Sequence, residues 1–260
     1  MKKMANNVDA KKEKSWLGRM KHFLSELFFP EKFKCVFCGT DVPNFDHDPI
    51  CDDCKRTLAF NSGNRCLICS EPIDNEATIC DSCQLHKKHF KRAFCPFVYD
   101  GKVRSAILGY KDSNRRYLAK SFAKFIAAEV KSSSVKIDYV TYTPLTEKKK
   151  KKRGFDQAEL LATYVAEELG CDCVKLFEKT RDGKTQKKLT YKERQENMVG
   201  MYKLLPHKFH RTDSVLIVDD IITTGATIDA CAKLICKRVG DVYVASVARN
   251  KLRKEKKAGE

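Results

Sequence analysis

Four Cys-x-x-Cys pairs between residues 35 and 83 place the strongest constraint on how this chain can fold. A Cys-x-x-Cys turn brings two sulfurs to the same side of a metal ion, and two such turns complete the tetrahedral thiolate site that zinc prefers. The spacing therefore predicts two structural zinc sites, with redox dithiols or an iron–sulfur cluster as the alternative. The predicted ligands are Cys35, Cys38, Cys51, Cys54, Cys66, Cys69, Cys80 and Cys83.

The pairing of these four turns is open at the level of sequence. Sequential ribbons would use the first four cysteines for one ion and the last four for the other, whereas an interleaved cross-brace would alternate the turns. Residues 35–83 hold few apolar side chains, so bound metal has to supply folding energy that a hydrophobic core does not. Four thiolates leave no open coordination position, which argues against a catalytic zinc.

The composition excludes several other classes of protein. With 260 residues and 42% hydrophobic side chains, the chain has the composition of a globular protein. It contains no run of 18 uncharged apolar residues and no uninterrupted apolar stretch after its lysine-rich start. We therefore expect no transmembrane helix, no secretory signal and a cytoplasmic location, where cysteines stay reduced. The net charge of +17 favours polyanionic partners.

Strands and helices alternate after residue 95, which predicts an α/β fold with a parallel sheet flanked by helices. The predicted strands are 94–99, 137–144, 214–218 and 242–247, the predicted helices are 116–130, 156–169 and 227–238, and residues 103–110 fit either. The predicted domains are 1–30 (a tail and an amphipathic helix over 16–28), 31–95 (paired zinc ribbons), 96–250 (the α/β domain) and 251–260 (a basic tail). The helix over 16–28 is expected to pack on the protein's own core, with attachment to a membrane surface as the alternative.

Residues 215–227, V-L-I-V-D-D-I-I-T-T-G-A-T, predict a strand, a phosphate-binding loop and the start of a helix. The apolar strand brings Asp219 and Asp220 to the carboxyl edge of the sheet, where α/β ligands bind. The small and hydroxylated residues that follow let backbone N–H groups approach a phosphate at the helix N-terminus. The two carboxylates would then face sugar hydroxyls or a metal ion, because they would otherwise repel the phosphate. The alternative is a strand that ends in a solvated acidic turn.

This segment closely resembles the 5-phosphoribosyl-1-diphosphate (PRPP) motif of type I phosphoribosyltransferases. Further motifs follow the order of one family: Tyr99-Asp100-Gly101 with Arg104, then Tyr110-Lys111, then R-G-F-D-Q-A over 153–158, then Thr185-Gln186 before Arg194 and Asn197. Together with the cysteine pairs, this order resembles the ComF family of competence-associated proteins over residues 24–250. The resemblance implies a type I phosphoribosyltransferase-like parallel sheet flanked by helices, preceded by a small double zinc-ribbon domain.

The resemblance also implies roles for individual residues. Asp219 and Asp220, the catalytic pair, would hold the ribose hydroxyls of PRPP, and the loop over 143–154 would contact its diphosphate together with Mg²⁺. The 5′-phosphate loop would be Thr223, Thr224, Gly225, Ala226 and Thr227, and the anion-binding residues Lys111, Arg153, Gly154 and Gln157. The implied activity is Mg²⁺-dependent transfer of a phosphoribosyl group to an unidentified acceptor, in natural competence and transformation after DNA uptake.

The sequence departs from the family pattern at two places, and each departure leads to a structural prediction. Asp156 stands where the family usually has Asn, and we expect it to cap the following helix as Asn would. Five consecutive lysines, 148–152, replace a mixture of arginine and other polar residues, and we expect them to form a solvated loop.

A second hypothesis treats the protein as a zinc-ribbon accessory protein that binds single-stranded DNA, with PRPP as a regulator or a vestige and DNA-uptake or recombination proteins as partners. Basic segments with an interleaved aromatic residue are typical of single-strand binding. The alternative is that these segments are only solvated loops. The candidate residues are Lys148, Lys149, Lys150, Lys151, Lys152, Lys187, Lys188, Tyr191 and Arg194.

Overall fold

The computed structural model describes residues 33–42, 50–112, 115–181, 198 and 200–251. The chain divides into two compact units, residues 1–56 and 57–260. The second group of four cysteines thus belongs to the larger unit, and the domain limits expected from composition, 31–95 and 96–250, stay a prediction. The predicted helix over 16–28, the basic residues Lys187, Lys188, Tyr191 and Arg194, and residues 252–260 lie outside the described part.

The smaller unit holds a short antiparallel ribbon and the start of a helix. β1 (Phe33–Lys34) pairs with β2 (Asp41–Val42), and α1 (Asp52–Thr57) follows. Between the two strands the Cys35 N–H donates to Thr40 O and the Gly39 N–H donates to Cys35 O, both at 2.8 Å. These hydrogen bonds form the tight turn that a Cys-x-x-Cys pair needs to present two sulfurs together.

The larger unit is built on a parallel sheet. Its elements are α2 (Asp81–Leu85), β3 (Arg92–Phe94), β4 (Phe97–Val98), α3 (Gly101–Asp112), α4 (Leu118–Ser132), β5 (Tyr139–Tyr142), α5 (Glu147–Arg153), α6 (Gln157–Leu169), β6 (Asp172–Cys173), β7 (Phe177–Lys179), β8 (Tyr202–Leu204), β9 (Ser214–Ile222), α7 (Ala226–Ile235) and β10 (Asp241–Arg249). The strand order is β3-β10-β9-β5-β6, every pair is parallel, and β4 also pairs with β10. β7 and β8 form a separate antiparallel hairpin. The predicted α/β fold with a parallel sheet is confirmed.

Helices cover both faces of this sheet. α7 packs on the face that carries Val215, Ile217 and Val244, in a core cluster that also includes Phe177 and Tyr202 from the hairpin. α4 and α6 pack against each other, α6 also contacts β5 and β9, and α4 contacts β10. Because both faces are covered, β9 and β10 read as near-continuous apolar runs rather than as alternating patterns.

The connections create a crevice at the carboxyl ends of β5 and β9. From β5 the chain runs out to β6 at one edge of the sheet, whereas from β9 it runs out to β10 on the opposite side. The following segments therefore diverge where β5 and β9 end side by side, which is the position at which open α/β sheets bind ligands.

Several predicted elements need correction. The lysine run is not a loop: 147–153 is the helix α5, because the Thr146 side chain accepts from the Lys149 N–H and Gly154 ends the helix in a left-handed conformation. Residues 103–110 belong to the helix α3, and the strand predicted over 94–99 divides into β3 and β4. β9 runs on to Ile222 because β10 pairs with it as far as Arg249, so both carboxylates lie within the strand rather than after it.

Asp156 caps α6 as expected. One carboxylate oxygen accepts from the N–H groups of Ala158 and Glu159, at 3.1 and 3.3 Å, and the other accepts from the Leu145 N–H at 2.7 Å. An Asn at this position would keep the cap but would turn an amide N–H₂ towards Leu145, so the carboxylate adds a tie between α6 and the segment after β5.

Replacing this cap should produce a graded loss of stability. We expect Asp156→Ala to lower the free energy of unfolding by about 2–4 kcal/mol, because it removes the cap and leaves the partly buried Leu145 N–H without this acceptor. Asp156→Asn should lose roughly half as much, since it keeps the cap oxygen. Urea unfolding followed by circular dichroism measures both variants. Equal losses in the two variants would contradict the capping role.

Candidate functional site

The eight predicted metal ligands gather into two clusters in sequential order. Cys35, Cys38, Cys51 and Cys54 form one, Cys66, Cys69, Cys80 and Cys83 form the other, and within each the sulfurs lie within 4.8 Å of one another. In each cluster the second and third cysteines have their Sγ atoms 3.5 Å apart. A tetrahedral zinc with Zn–S bonds of about 2.3 Å needs sulfurs about 3.8 Å apart, so both clusters fit structural zinc. The interleaved cross-brace is thereby excluded.

Hydrogen bonds connect the second cluster to the parallel sheet of the larger unit. Cys66 accepts from the Ser70 N–H at 2.9 Å and donates its own N–H to Glu71 O at 2.8 Å, which closes the metal-binding turn. The Asn61 side chain donates to Ser70 O and to Cys95 O, at 2.9 and 3.1 Å, and so ties this turn to the sheet. Cys95 is fully buried within the segment between β3 and β4.

The two predicted catalytic carboxylates lie at the crevice between β5 and β9. Asp219 is hydrogen-bonded to the Thr143 side chain, which follows β5, and its Oδ1 accepts from the Asp220 N–H at 2.8 Å. Asp220 forms an ion pair with Lys111, whose Nζ lies 2.8 Å from Oδ2. Two consecutive residues of β9 thus bring carboxylates to the crevice, and Lys111, at the end of α3, is paired with the second of them.

Lys111 is held in place by the aromatic packing of α3. Tyr110 is buried, makes edge-to-face contacts with Phe122 and Phe155, and donates its hydroxyl to Gln157 O at 2.7 Å. These contacts fix the end of α3 against the start of α6. The next residue, Lys111, is thereby directed at Asp220.

The environment of Asp219 disfavours its charged form. Burial and the neighbouring charge of Asp220 raise the pKa of Asp219 to about 7, while the Asp220 N–H, the Lys111 ammonium and the Thr143 hydroxyl act in the opposite direction. At neutral pH Asp219 is therefore close to its pKa, so a cation that binds beside it would favour its charged form.

The predicted 5′-phosphate loop follows β9 directly. Gly225 adopts φ +77° and precedes the first turn of α7, where its carbonyl accepts from the Asp229 N–H at 2.9 Å. A side chain here would be strained whatever the space around it, which accounts for the glycine. Thr224 Oγ1 accepts from the Ala226 N–H at 3.4 Å. Backbone N–H groups and the helix N-terminus at this position suit a phosphate.

A cavity of about 150 Å³ opens between the carboxylates and the start of α6. It brings together Lys111, Arg153, Gln157, Asp219, Asp220 and Thr227 from the predicted set. Gly154 does not line it: this residue ends α5, and its carbonyl accepts from Arg116 Nη2 at 3.2 Å. Four further residues of the predicted set do not line it either: Thr223, Thr224 and Gly225 form the loop between β9 and α7, and Ala226 is the first residue of α7.

Two residues that line the cavity belong to no motif from which the sequence could have predicted a place in the site. Lys179 and Tyr202 come from opposite strands of the β7–β8 hairpin, where they are paired in register, and the Lys179 ammonium lies 5.2 Å from the Tyr202 ring centre. The hairpin is folded over the same edge of the sheet as the carboxylates. Only the tertiary structure places it there.

The lysines of α5 separate into one anchored residue and an exposed group. Lys150 Nζ lies 2.7 Å from Glu159 Oε2, a carboxylate that also accepts from the Tyr142 hydroxyl. Lys148, Lys149, Lys151 and Lys152 are exposed on the same helix. Arg153 donates to Gln157 Oε1 at 3.0 Å and reaches the cavity, so the exposed lysines lie next to the candidate site.

Comparison with known proteins agrees with this architecture. Residues 24–84 match the family model described as the double zinc ribbon domain. DNA utilization protein YhgH of Escherichia coli strain K12 is 25% identical over 209 residues, covering 72% of this chain and 91% of that protein. Competence protein F of Haemophilus influenzae is 23% identical over 228 residues (84% and 97%), and competence protein ComFC of Streptococcus pneumoniae is 27% identical over 220 residues (78% and 93%).

Among solved structures, an adenine phosphoribosyltransferase overlaps with 53% of this chain and 72% of its own, at 19% identity and a TM-score of 0.35. A score this low does not establish a common activity. The chain therefore carries a double zinc ribbon domain, and over most of its length it is similar to proteins named as competence proteins. None of the described helices is both long and apolar enough to cross a membrane.

The raised pKa of Asp219 predicts a specific pH dependence of stability. Since the folded state holds this proton more tightly than the unfolded chain, wild-type stability falls as pH rises from about 4 through about 7. Asp219→Asn removes that slope. We expect its stability relative to wild type to increase by up to a few kcal/mol between about pH 5 and about pH 8. Urea unfolding of both proteins at each pH tests this, and parallel stability profiles would contradict it.

Proposed function

We propose that the crevice binds PRPP together with Mg²⁺ and that the protein acts as a phosphoribosyltransferase-like member of the competence machinery. The observation that carries the proposal is the placement of Asp219 and Asp220 beside a loop whose Gly225 has a positive φ at the N-terminus of α7. Carboxylates suit ribose hydroxyls and the loop N–H groups suit a phosphate, so one molecule that carries both groups satisfies the whole site.

The chain's own residues would act by binding and positioning. Asp219 and Asp220 accept hydrogen bonds from the ribose, residues 223–227 hold the 5′-phosphate, and Lys111 and Arg153 face the diphosphate. Bound Mg²⁺ would supply neutralisation of the diphosphate charge. Positioning and charge stabilisation are sufficient for such a transfer, and the proposal needs no protein nucleophile.

A role in natural competence is supported by the relatives. Two of them are named competence proteins and a third is named a DNA utilization protein, and this chain covers at least 91% of each. We propose that this chain acts in the same process. An allele carrying Asp219→Ala and Asp220→Ala should then lower the frequency of transformation while the protein remains present at its normal level.

Calorimetric titration with PRPP in the presence of Mg²⁺ tests the binding site. The wild type should bind, and the double variant Asp219→Ala/Asp220→Ala should lose at least about tenfold in affinity, because two charge-assisted hydrogen bonds are removed. A matched control is Asp241→Asn, a carboxylate at the opposite edge of the sheet that pairs with Lys91. No heat of binding for the wild type, or unchanged binding in the double variant, would refute the proposal.

Single-stranded DNA binding is a second candidate function. It is supported by the exposed lysines of α5 beside the cavity and by the distribution of charge, since residues 96–260 carry a net +14 and residues 1–95 only +3. Loops and helices of the larger unit, rather than the cysteine-rich segment, therefore offer the positive surface for a phosphate backbone.

The salt dependence of DNA binding measures this contribution. Replacing Lys148, Lys151 and Lys152 by alanine should weaken binding and reduce the slope of log affinity against log salt by about two units, at roughly 0.7 per phosphate contact. A matched control removes the same charge from the exposed side of α4, at Lys120, Lys124 and Lys131. Absent binding, or an identical slope in the α5 variant, would count against this function.

A further inference from the structure

A single buried arginine joins the second zinc cluster to the phosphate loop. Arg249 is the last residue of β10 and is only 1% exposed. Its Nε donates to Cys69 O at 3.0 Å, and its Nη2 lies 2.5 Å from Glu71 Oε2 and 3.9 Å from Cys69 Sγ. All of these partners belong to the metal-binding turn of the second cluster.

The other arm of the same guanidinium reaches the loop. Nη1 donates to Ile222 O at 3.0 Å, to Thr223 O and to Asn250 O. Ile222 O also accepts from the Asn250 N–H at 2.9 Å. One planar group therefore holds the carbonyls at the start of the phosphate loop and the backbone of a zinc ligand at fixed positions relative to each other.

Holding those carbonyls also orients the N–H groups that follow them. In a trans peptide the C=O and the next N–H point in opposite directions. Because Ile222 O and Thr223 O point at Arg249, the N–H groups of Thr223 and Thr224 point away from it, towards the outside of the loop. Within the described part of the chain these two N–H groups donate to no protein acceptor, which leaves them available to a phosphate.

We propose that Arg249 is a positioning residue which aims these N–H groups at the 5′-phosphate, and that occupation of the second zinc site controls how firmly it does so. The inference rests on the proposed function for its ligand. Zinc bound by Cys66 and Cys69 would hold the hydrogen-bonded turn from Cys66 to Glu71 rigid, and with it Glu71 and Cys69 O. Loss of zinc releases these partners, so the guanidinium no longer constrains the loop.

Backbone exchange in the full-length protein tests the coupling without any ligand. Hydrogen–deuterium exchange at residues 222–226 should be faster in Arg249→Lys, whose single ammonium cannot span both sets of acceptors, and in Cys80→Ser, which breaks the second zinc site away from Arg249. The matched control is Cys51→Ser, which removes a thiolate from the cluster of the smaller unit and should leave this segment unchanged. Unchanged exchange in both Arg249→Lys and Cys80→Ser would overturn the proposal.

Comparing the binding of two small anions distinguishes a positioning role of Arg249 from a general loss of structure. Ribose 5-phosphate should bind about tenfold more weakly to Arg249→Lys and Cys80→Ser, while inorganic pyrophosphate with Mg²⁺, which needs no contact with this loop, should bind within about twofold of wild type. Equal weakening of both probes would assign Arg249 a purely structural role. If either variant fails to fold, Glu71→Gln, which keeps the shape and removes the charge, replaces it in both assays.

The linkage should also operate in reverse. Ribose 5-phosphate should raise the equilibrium affinity of the second zinc, measured by competition with a coloured chelator, by the same factor by which that zinc strengthens ribose 5-phosphate binding. If the wild-type protein bound neither PRPP nor ribose 5-phosphate, the proposed function would be refuted. The exchange experiment would still test the coupling between the zinc site and the loop. Binding of both ligands without any dependence on zinc or Arg249 would remove only the coupling.

Discussion

The parallel pairing of β9 with β5 on one side and β10 on the other is the constraint on which the rest of the site depends. It places Thr143, at the end of β5, beside the carboxylates of β9, and it carries β10 far enough for Arg249 to reach the end of the same strand. The crevice, the position of the loop after β9 and the arginine link are therefore three consequences of one set of backbone hydrogen bonds. A change that shifted this register by one residue would turn every buried side chain of β9 to the other face.

Charged side chains of opposite sign lie on the two sides of the end of β9. On the open side, Lys111 pairs with Asp220, and burial together with the charge of Asp220 raises the pKa of Asp219 to about 7. On the enclosed side, Arg249 is matched by Glu71 and by the turn of the second zinc cluster. Each group needs its partners, since an unpaired charge at this depth would be strongly destabilising. The zinc ribbon and the α/β sheet are thus joined by electrostatics as well as by packing.

Local patterns predicted the parts of the structure that local chemistry controls. The Cys-x-x-Cys spacing is sufficient to identify zinc ligands, the apolar run before Asp219 is sufficient to identify a buried strand, and Asp156 is a helix cap wherever a helix follows. The helix α5 was missed because five consecutive lysines show no apolar periodicity. Its signals were instead the cap at Thr146 and the left-handed Gly154 at its end. Lys179 and Tyr202 carried no such signal, because they reach the cavity only through a hairpin whose strands lie more than twenty residues apart.

By itself, the sequence determined which chemistry the protein holds: two four-thiolate zinc sites, a pair of carboxylates, and a glycine-containing loop at a helix start. These follow from residue types at short spacing, where the chain has few ways to arrange them. Only the tertiary structure decided which cysteine turns cluster together, which lysine faces Asp220, and that Arg249 at the end of β10 connects Cys69 to the loop after β9. Such contacts join segments up to 180 residues apart, and their geometry depends on the order and register of the strands between them, which no local pattern specifies.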